Sequence, residues 1–322
     1  MIHLPGYKLG SVLLGSKKVR RHLNQAYEER GTGFVDFFND AFDGSTIRAS
    51  FDWHNRFAER EFSLPVFPAL QRSWVNARLW RWAGNRSIRK FYEFYLRHKP
   101  QGTFFDIGAN DGLHTYPFAA FGYKCVCFEP QKACVDYIRS TCDLNGFTKV
   151  IIECAVVSNC DNEQVQFYVS DGSWYSSLVK ENVERFETAR QIQVGTMTLD
   201  TFCKESGMQP DFIKIDVEGC EWQVIEGGMK TIEDVRPALF LEVDSQPENV
   251  QKIWDFLTRL EYKVYFVRHY TSEPFHPMKS VEDCIAAIGR GNHGDFIALA
   301  DKKLAEDFDR EFCANRIQAM KQ

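Results

Sequence analysis

The stretch FFDIGANDGLHTY, residues 104–116, determines how the rest of the sequence is interpreted. Its apolar start is typical of a buried strand, and this strand ends in Asp106. Gly108, Asn110 and Gly112 follow at once, which allows a tight turn and lets a ligand approach the main chain. A helix begins directly afterwards, and its free amides are suited to a ligand carboxylate. The stretch therefore predicts a strand, a glycine-rich ligand loop and a helix.

The glycine spacing argues against two common nucleotide sites. Gly108 and Gly112 form a GxxxG pattern, whereas dinucleotide-binding loops carry GxGxxG and phosphate loops end in Lys followed by Ser or Thr. Neither NAD nor ATP is therefore favoured. A strand-to-helix turn without any ligand is the alternative for this loop taken alone.

From residue 101 onward, short runs rich in Val, Ile and Phe alternate with helical segments. The helix candidates are residues 131–144, 220–234 and 247–260. The strand candidates are residues 103–109, 124–130, 149–157, 165–170, 212–217, 238–244, 263–268 and 295–300. Strand and helix in alternation predict an α/β domain over residues 101–322, with a mostly parallel, twisted sheet. Ligands of such sheets bind beyond the carboxyl ends of the strands.

A second acid supports a nucleoside ligand. The second strand candidate ends in Glu129, 23 residues after Asp106. An acid at this place is a common anchor for the two ribose hydroxyls of a nucleoside. Together with the glycine-rich loop, it points to a nucleoside that carries an amino-acid tail, and S-adenosylmethionine fits that description.

The segment FIKIDVEGCEW, residues 212–222, places acids at the end of an apolar strand. Its apolar residues alternate with Lys214, Asp216 and Glu218, and Glu221 follows just past a glycine. Buried carboxylates are unfavourable unless a partner or a ligand compensates them. We therefore expect these acids at the carboxyl edge of the sheet, where the ligand lies.

Five motifs in order resemble the FkbM-type methyltransferases, which are class I enzymes that use S-adenosylmethionine. They read FFDIGANDGLHT, CFEP, ECAVVS, TLDTF and FIKIDVEGCEWQVIEGG. The resemblance covers roughly residues 100–245 and continues more weakly to about residue 300. It implies a Rossmann-like sheet of seven strands. It also implies methyl transfer to a hydroxyl, often that of a sugar or a natural product.

The resemblance also implies roles for individual residues. It assigns the cofactor contacts to Asp106, Gly108, Asn110, Gly112, Glu129 and Ala155, with Ala155 touching the adenine through its backbone. It places Asp216, Glu218 and Glu221 next to the reactive methyl group. Asp216 is the first candidate for the base or orienting acid because it lies nearest the strand end, and Glu218 is the second. Glu221 is also suited to pair with a basic side chain or to stabilise the start of the helix after Gly219, where acids are favoured.

Several alternatives remain open at the site. We assign no metal, but Asp216, Glu218 and Glu242 are alternative oxygen ligands for magnesium. His114, His269, His276 and His293 are further candidate bases, although a lone histidine is more often structural. Residues 171–182, DGSWYSSLVKEN, are either a loop that closes over the acceptor or a surface turn.

Residues 1–100 differ from the rest in charge and pattern. They carry 17 Lys and Arg against 9 Asp and Glu, whereas the remainder carries 22 against 35, and the net charge is −5. Apolar residues at helical spacing over 34–42 and 73–99 predict a helical, aromatic-rich extension. Such a region suits a lid, a docking surface for an anionic partner or the arm of a homo-oligomer, and an ordinary solvated surface is the alternative.

The cysteines and the hydropathy suggest a cytoplasmic protein. The ten cysteines contain no CxxC pair and are interpreted as reduced thiols. No apolar window approaches the length of about 18 residues that a membrane span needs, although residues 9–23 leave peripheral membrane contact open.

We therefore predict a cytoplasmic O-methyltransferase that acts on a sugar hydroxyl of a glycan, glycolipid or natural product. The alternatives are a nitrogen, carboxylate or protein acceptor, or a non-catalytic scaffold. The acidic catalytic region argues against a nucleic-acid partner.

Overall fold

The computed structural model describes residues 46–51, 60–65, 86–170, 189–269, 271, 273–289 and 293–313. The described strands are β1 (Thr46–Phe51), β2 (Arg60–Pro65), β3 (Thr103–Ile107), β4 (Lys124–Phe128), β5 (Val150–Glu153), β6 (Val156–Val157), β7 (Gln164–Ser170), β8 (Ala189–Met197), β9 (Phe212–Ile215), β10 (Ala238–Asp244), β11 (Lys263–Val267), β12 (Phe275–Pro277) and β13 (His293–Leu299). The described helices are α1 (Arg86–His98), α2 (Thr115–Ala120), α3 (Lys132–Asn145), α4 (Leu199–Ser206), α5 (Glu221–Glu226), α6 (Met229–Val235), α7 (Pro247–Arg259), α8 (Val281–Ile288) and α9 (Lys302–Phe312).

A central sheet of eight strands organises the fold, in the order β12-β11-β13-β10-β9-β3-β4-β5. The five strands from β10 to β5 run parallel to one another. Strand β13 is antiparallel to both β10 and β11, and β12 is antiparallel to β11. The predicted α/β architecture with a mostly parallel sheet is confirmed. The predicted number of seven strands is wrong, because the short strand β12 extends the edge.

A second sheet of three strands, in the order β6-β8-β7, lies apart from the central one. The sequence predicts a single strand over residues 149–157, but the chain changes sheets within that run. Strand β5 forms the edge of the central sheet, whereas β6 pairs in parallel with β8. The run of apolar residues continues across the change, because Val150 and Ile152 of β5 are half-buried and Val156 and Val157 of β6 are buried. The sequence therefore does not reveal the break.

Helices cover both faces of the central sheet, as expected for parallel strands. Alternate residues of β9 point to opposite faces, which separates the core into two clusters. Phe212 is buried with residues of α1, α2 and α9 on one face. Ile213 is buried with residues of helices α4 to α8 on the other. Because both faces are covered, the strand ends are where a ligand can reach the sheet.

Helix α1 belongs to the same core, although the sequence assigns residues 1–100 to a separate region. The ring of Phe91 lies 5.6 Å from that of Phe212 and 5.9 Å from that of Phe308 in α9, both edge-on. Lys99, just after α1, forms an ion pair of 2.9 Å with Asp301 at the start of α9. The packed core of the α/β domain therefore begins before residue 101.

The remainder of residues 1–100 is described only in part. Strands β1 and β2 pair in antiparallel fashion in a region that the sequence predicts as helical. The helical segment predicted at 34–42, and the part of 73–99 before residue 86, lie outside the described residues. A lid, a docking surface or a dimer arm stays a prediction.

The cysteines and the described helices bear on two of the predictions made from composition. All ten cysteines are free thiols, as their spacing indicates. Among the described helices, none combines the length and the apolar character that crossing a membrane requires.

Candidate active site

A cavity of about 340 Å³ opens at the carboxyl ends of the parallel strands. Its wall combines the loop after β3, the end of β4, the turn after β9 and the ends of β10 and β13. The small sheet contributes an apolar side through Val156, Val157 and Phe167. Six residues that the sequence predicts as site residues lie in this wall: Gly108, Asn110, Ala155, Glu129, Asp216 and Glu218.

The glycine-rich loop forms one side of the cavity and lies tightly against the backbone directly after β9. Gly108 has a φ of +73°, and a Cβ there would overlap the carbonyl oxygen of Asp216 and lie 3.0 Å from its carbonyl carbon. Asn110 also has a positive φ, of +51°. Gly112 likewise has a positive φ, of +76°, and a Cβ at that position would lie 2.7 Å from the Tyr116 hydroxyl. Gly112 packs against Tyr116 of α2 and is not part of the cavity wall.

Glu129 lies at the end of β4 and is bound to the glycine-rich loop. Its Oε2 accepts a hydrogen bond of 2.8 Å from the Asn110 amide, and its Oε1 accepts one of 2.9 Å from the Gln131 amide. Burial raises the pKa of this carboxyl to about 7, although the two amide bonds oppose that change. Each carboxylate oxygen has a second lone pair, so Glu129 can still accept from ligand hydroxyls.

The buried ammonium of Lys214 links the two sides of the site. Its Nζ donates a hydrogen bond of 2.9 Å to the Gly108 carbonyl and lies 3.0 Å from Asp216 Oδ2. Burial alone would lower the pKa of Lys214, but the charges of Asp216 and Asp106 outweigh it and hold the pKa above its usual value. This contact is predictable from the sequence, because Lys214 and Asp216 are two residues apart in a predicted strand and so point to the same face.

Asp106 lies behind the cavity wall and not in it. It is fully buried, accepts a hydrogen bond of 2.6 Å from Thr115 Oγ1, and lies 3.4 Å from the Lys214 ammonium. It is also the direct neighbour of Lys214 in the pairing of β3 with β9. Asp106 is therefore the partner of Lys214 and does not line the cavity. The resemblance, by contrast, assigns it a direct contact with the cofactor.

The acids after β9 separate into two groups. Asp216 and Glu218 face the cavity, and the backbone of Glu218 has a φ of +56° where the chain turns toward α5. Burial and the neighbouring Asp216 raise the pKa of Glu218 to about 8. Glu221 is buried outside the wall, where its Oε1 accepts from the Gly219 amide at 2.8 Å at the start of α5. Glu221 therefore occupies the helix-start position that the sequence offered as its alternative.

Glu242 completes a group of three carboxylates at the cavity. One oxygen each of Asp216, Glu218 and Glu242 lies within 4.8 Å of the other two. These are the residues that the sequence gives as alternative magnesium ligands, and their oxygens are the donors that hard cations prefer. Burial is the main cause that raises the pKa of Glu242, and Asp216 adds to it.

Three of the four candidate histidines lie at or near this side of the cavity. His293 Nε2 is 3.2 Å from Glu242 Oε1, and His269 Nε2 is 2.6 Å from Asp295 Oδ2. Burial, with a contribution from Lys214, lowers the pKa of His114 to about 4, and its Nδ1 lies 2.7 Å from the Tyr92 hydroxyl. His114 is thus a neutral wall residue near neutral pH.

Sequence reasoning missed several wall residues. They include Phe240 and Asp295, which line the cavity from the neighbouring strands β10 and β13. No local motif marks them, because their position depends on which strands are neighbours. The predicted acceptor loop at 171–182 lies outside the described residues.

Comparisons with known proteins agree on one type of domain. Residues 106–264 match the model of the methyltransferase FkbM domain. The 2-O-methyltransferase NoeI of Sinorhizobium fredii is 29% identical over 157 residues, which cover 44% of this chain and 63% of that protein. The match therefore spans less than two thirds of this relative.

Two solved methyltransferase structures are similar to part of this chain. A methyltransferase FkbM from Methylobacillus flagellatus is 12% identical with a TM-score of 0.40, over 62% of this chain and 44% of that one. An S-adenosylmethionine-dependent methyltransferase from Agrobacterium tumefaciens is 11% identical with a TM-score of 0.36, over 79% and 69% of the two chains. The assignment of the fold rests on the strand order of the chain itself.

Proposed function

We propose that this chain, whose residues 106–264 match the methyltransferase FkbM domain, transfers the methyl group of S-adenosylmethionine to a hydroxyl of a sugar. The observation that carries the proposal is the single cavity wall that joins the glycine-rich loop and Glu129 to Asp216 and Glu218. The first pair suits a nucleoside with an amino-acid tail, and the second suits an acceptor hydroxyl beside a cationic sulfonium.

The cofactor half is supported by complementary surfaces. The carboxylate of Glu129 accepts from ribose hydroxyls, as acids at the end of a second parallel strand commonly do. The backbone at Ala155 and the apolar Val156, Val157 and Phe167 offer a surface for the adenine ring. Gly108 lies against the carbonyl of Asp216, and its backbone would contact the methionine part of the cofactor.

The acceptor half supplies alignment and a proton acceptor. In the transfer, the acceptor oxygen forms a bond to the methyl carbon, the bond from that carbon to sulfur breaks, and sulfur keeps the electron pair as a neutral thioether. The hydroxyl proton passes to a carboxylate, for which Asp216 is the first candidate and Glu218 the second. Alignment of the reacting atoms supplies roughly 7–11 kcal/mol, and a positioned base contributes about 10²–10⁴-fold.

The choice of a sugar hydroxyl rests on two supports. The similar NoeI protein is named a 2-O-methyltransferase, and the carboxylates of the wall are good acceptors for the several hydroxyls of a sugar. The ten free thiols support a reducing compartment such as the cytoplasm. Nitrogen, carboxylate and protein acceptors are the competing possibilities, which mass spectrometry of the methylated product distinguishes.

The test combines cofactor binding with turnover. Calorimetry with S-adenosylhomocysteine should show one binding site per chain, and radiolabelled S-adenosylmethionine should label a hydroxyl in a panel of mono- and oligosaccharides. Asp216→Asn should lower turnover by about 10²-fold or more, in line with the loss of a positioned acid or base, and change the affinity for S-adenosylhomocysteine less than threefold. Asp255→Asn in the exposed part of α7 is the control. A chain that does not bind S-adenosylhomocysteine would refute the proposal.

A further inference from the structure

Strand β13 contributes two residues to the cavity wall, His293 and Asp295. Both lie outside residues 106–264, which match the family model. In the central sheet, β13 is four positions from β4, the strand that leads into Glu129, so roughly 19 Å separates the two strands. Asp295 is therefore too far from Glu129 to contact the same ribose, and it belongs to the acceptor side of the cavity.

The carboxylate of Asp295 is buried and incompletely hydrogen-bonded. Only 8% of the residue is exposed. Its Oδ2 lies 2.6 Å from His269 Nε2, whereas its Oδ1 is buried and has no hydrogen-bond partner among the residues that the structure describes. A buried acceptor without a donor is unfavourable, and a donor group of a bound ligand would remove that penalty. Because Asp295 also lines the cavity, a ligand in the cavity is the source of such a donor.

The position of this carboxylate is fixed before any ligand arrives. His269 follows β11, and the residue before it is held twice through its backbone. Ser87 Oγ at the start of α1 donates a hydrogen bond of 2.8 Å to the Arg268 carbonyl, and the Arg268 amide donates one of 2.6 Å to the Pro274 carbonyl. Asp295 itself is paired with β10 on one side of β13. An acceptor held in place in this way favours a ligand whose donor has the matching position.

We propose that Asp295 is a specificity-determining residue that accepts a hydrogen bond from a second hydroxyl of the sugar, not from the one that is methylated. Asp216 follows β9, which is two positions from β13, or roughly 10 Å away. One sugar ring bridges that distance with a hydrogen bond of about 2.8 Å at each end. The inference rests on the proposed function and adds to it that the acceptor is a diol or polyol.

The test compares sugars that differ by one hydroxyl. The probes are methyl glycosides of glucose, galactose, mannose and xylose and of their disaccharides, each with analogues in which one ring hydroxyl is replaced by hydrogen. Besides the analogue that lacks the methylated hydroxyl, one further analogue should lose about 100-fold or more in kcat/KM, because it leaves the buried acceptor unpaired. In Asp295→Ala the KM for the intact sugar should rise about tenfold or more, and the loss for that analogue should shrink to below about tenfold.

Asp307→Ala is the matched control, because Asp307 also lies beside a histidine, His98, but on α9 and outside the cavity wall. It should keep the discrimination of the wild type. Calorimetry with S-adenosylhomocysteine shows whether each variant is folded, and the affinity of Asp295→Ala should stay within about threefold of the wild type, since Asp295 is remote from Glu129.

The analogue series with the wild type decides the matter even if Asp295→Ala does not fold. A sugar that is methylated with no second hydroxyl required would overturn the inference alone, as would an equal loss for the analogue in the wild type and in Asp295→Ala. A chain that binds S-adenosylhomocysteine but methylates none of the sugars refutes the proposed sugar acceptor, and this inference with it.

Discussion

Substitution of Gly108 by alanine tests how the cofactor loop is fixed against the sheet. The residue has a φ of +73°, and a Cβ would overlap the carbonyl oxygen of Asp216, at 3.0 Å from the carbonyl carbon. That carbonyl belongs to the residue directly after β9, and Lys214 holds the Gly108 carbonyl on the same side by a hydrogen bond of 2.9 Å. The loop and the acid therefore cannot separate without loss of contacts on both sides of the cavity.

The loss of unfolding free energy expected for Gly108→Ala has two contributions. A non-glycine residue in the left-handed region is unfavourable by about 1–2 kcal/mol. Forcing an extra carbon into a packed site adds about 1–3 kcal/mol. Gly207 is a matched control, because it has a φ of +67° and no atom within 4 Å of a Cβ. The stabilisation that alanine brings by restricting the unfolded chain is common to both variants and cancels.

Urea denaturation measures the free energy of unfolding, and calorimetry measures the affinity for S-adenosylhomocysteine. Gly207→Ala should lower the unfolding free energy by about 1–2 kcal/mol and leave the affinity unchanged. Gly108→Ala should lower it by a further ~1–3 kcal/mol and weaken the affinity at least tenfold, since the loop must move away from β9. Equal unfolding free energies for the two variants, together with wild-type affinity in Gly108→Ala, would refute the reasoning.

Two further predictions concern buried charges. The pKa of Glu129 is raised to about 7, and ligand hydroxyls favour the ionised form that they hydrogen-bond. The affinity for S-adenosylhomocysteine, measured by calorimetry, should therefore rise about tenfold between pH 6 and pH 8, and a flat profile would contradict this. In Glu129→Gln the rise should be absent. Lys214→Met leaves Asp106 as a buried, unpaired charge, and should lower the unfolding free energy by about 3–5 kcal/mol. The double variant with Asp106→Asn should recover part of that loss in urea denaturation, and a single variant as stable as the wild type would count against a charged network.

Local patterns predicted the parts of the site that lie on continuous stretches of chain. The glycines after Asp106, the acid at the end of β4 and the acids after β9 each follow directly from a strand whose apolar pattern is visible. The carboxyl ends of parallel strands meet at one edge, so these residues converge whatever the remaining details are. For this reason Gly108, Glu129 and Asp216 lie in one cavity wall, as the sequence indicates.

Features that depend on contacts between distant segments were predicted less well. The apolar run of residues 149–157 hides the change from the central sheet to the small one, because both strands place apolar side chains against a core, half-buried in β5 and buried in β6. The three-residue strand β12 is too short to leave a pattern. Asp106 was expected in the wall but lies behind it, because the ammonium of Lys214 stands between its carboxylate and Asp216.

The sequence by itself determined the α/β fold, the glycine-rich loop and the set of acids at the strand ends, since each depends on neighbours along the chain. Only the tertiary structure decided how those acids are shared between partners. The pairing of β10 with β13 sets Asp295 opposite Glu242, and the pairing of β3 with β9 sets Asp106 beside Lys214. Register between strands that are far apart in the chain fixes these distances, and electrostatic interactions depend on distance and burial. The charge balance of the site is therefore a property of the fold.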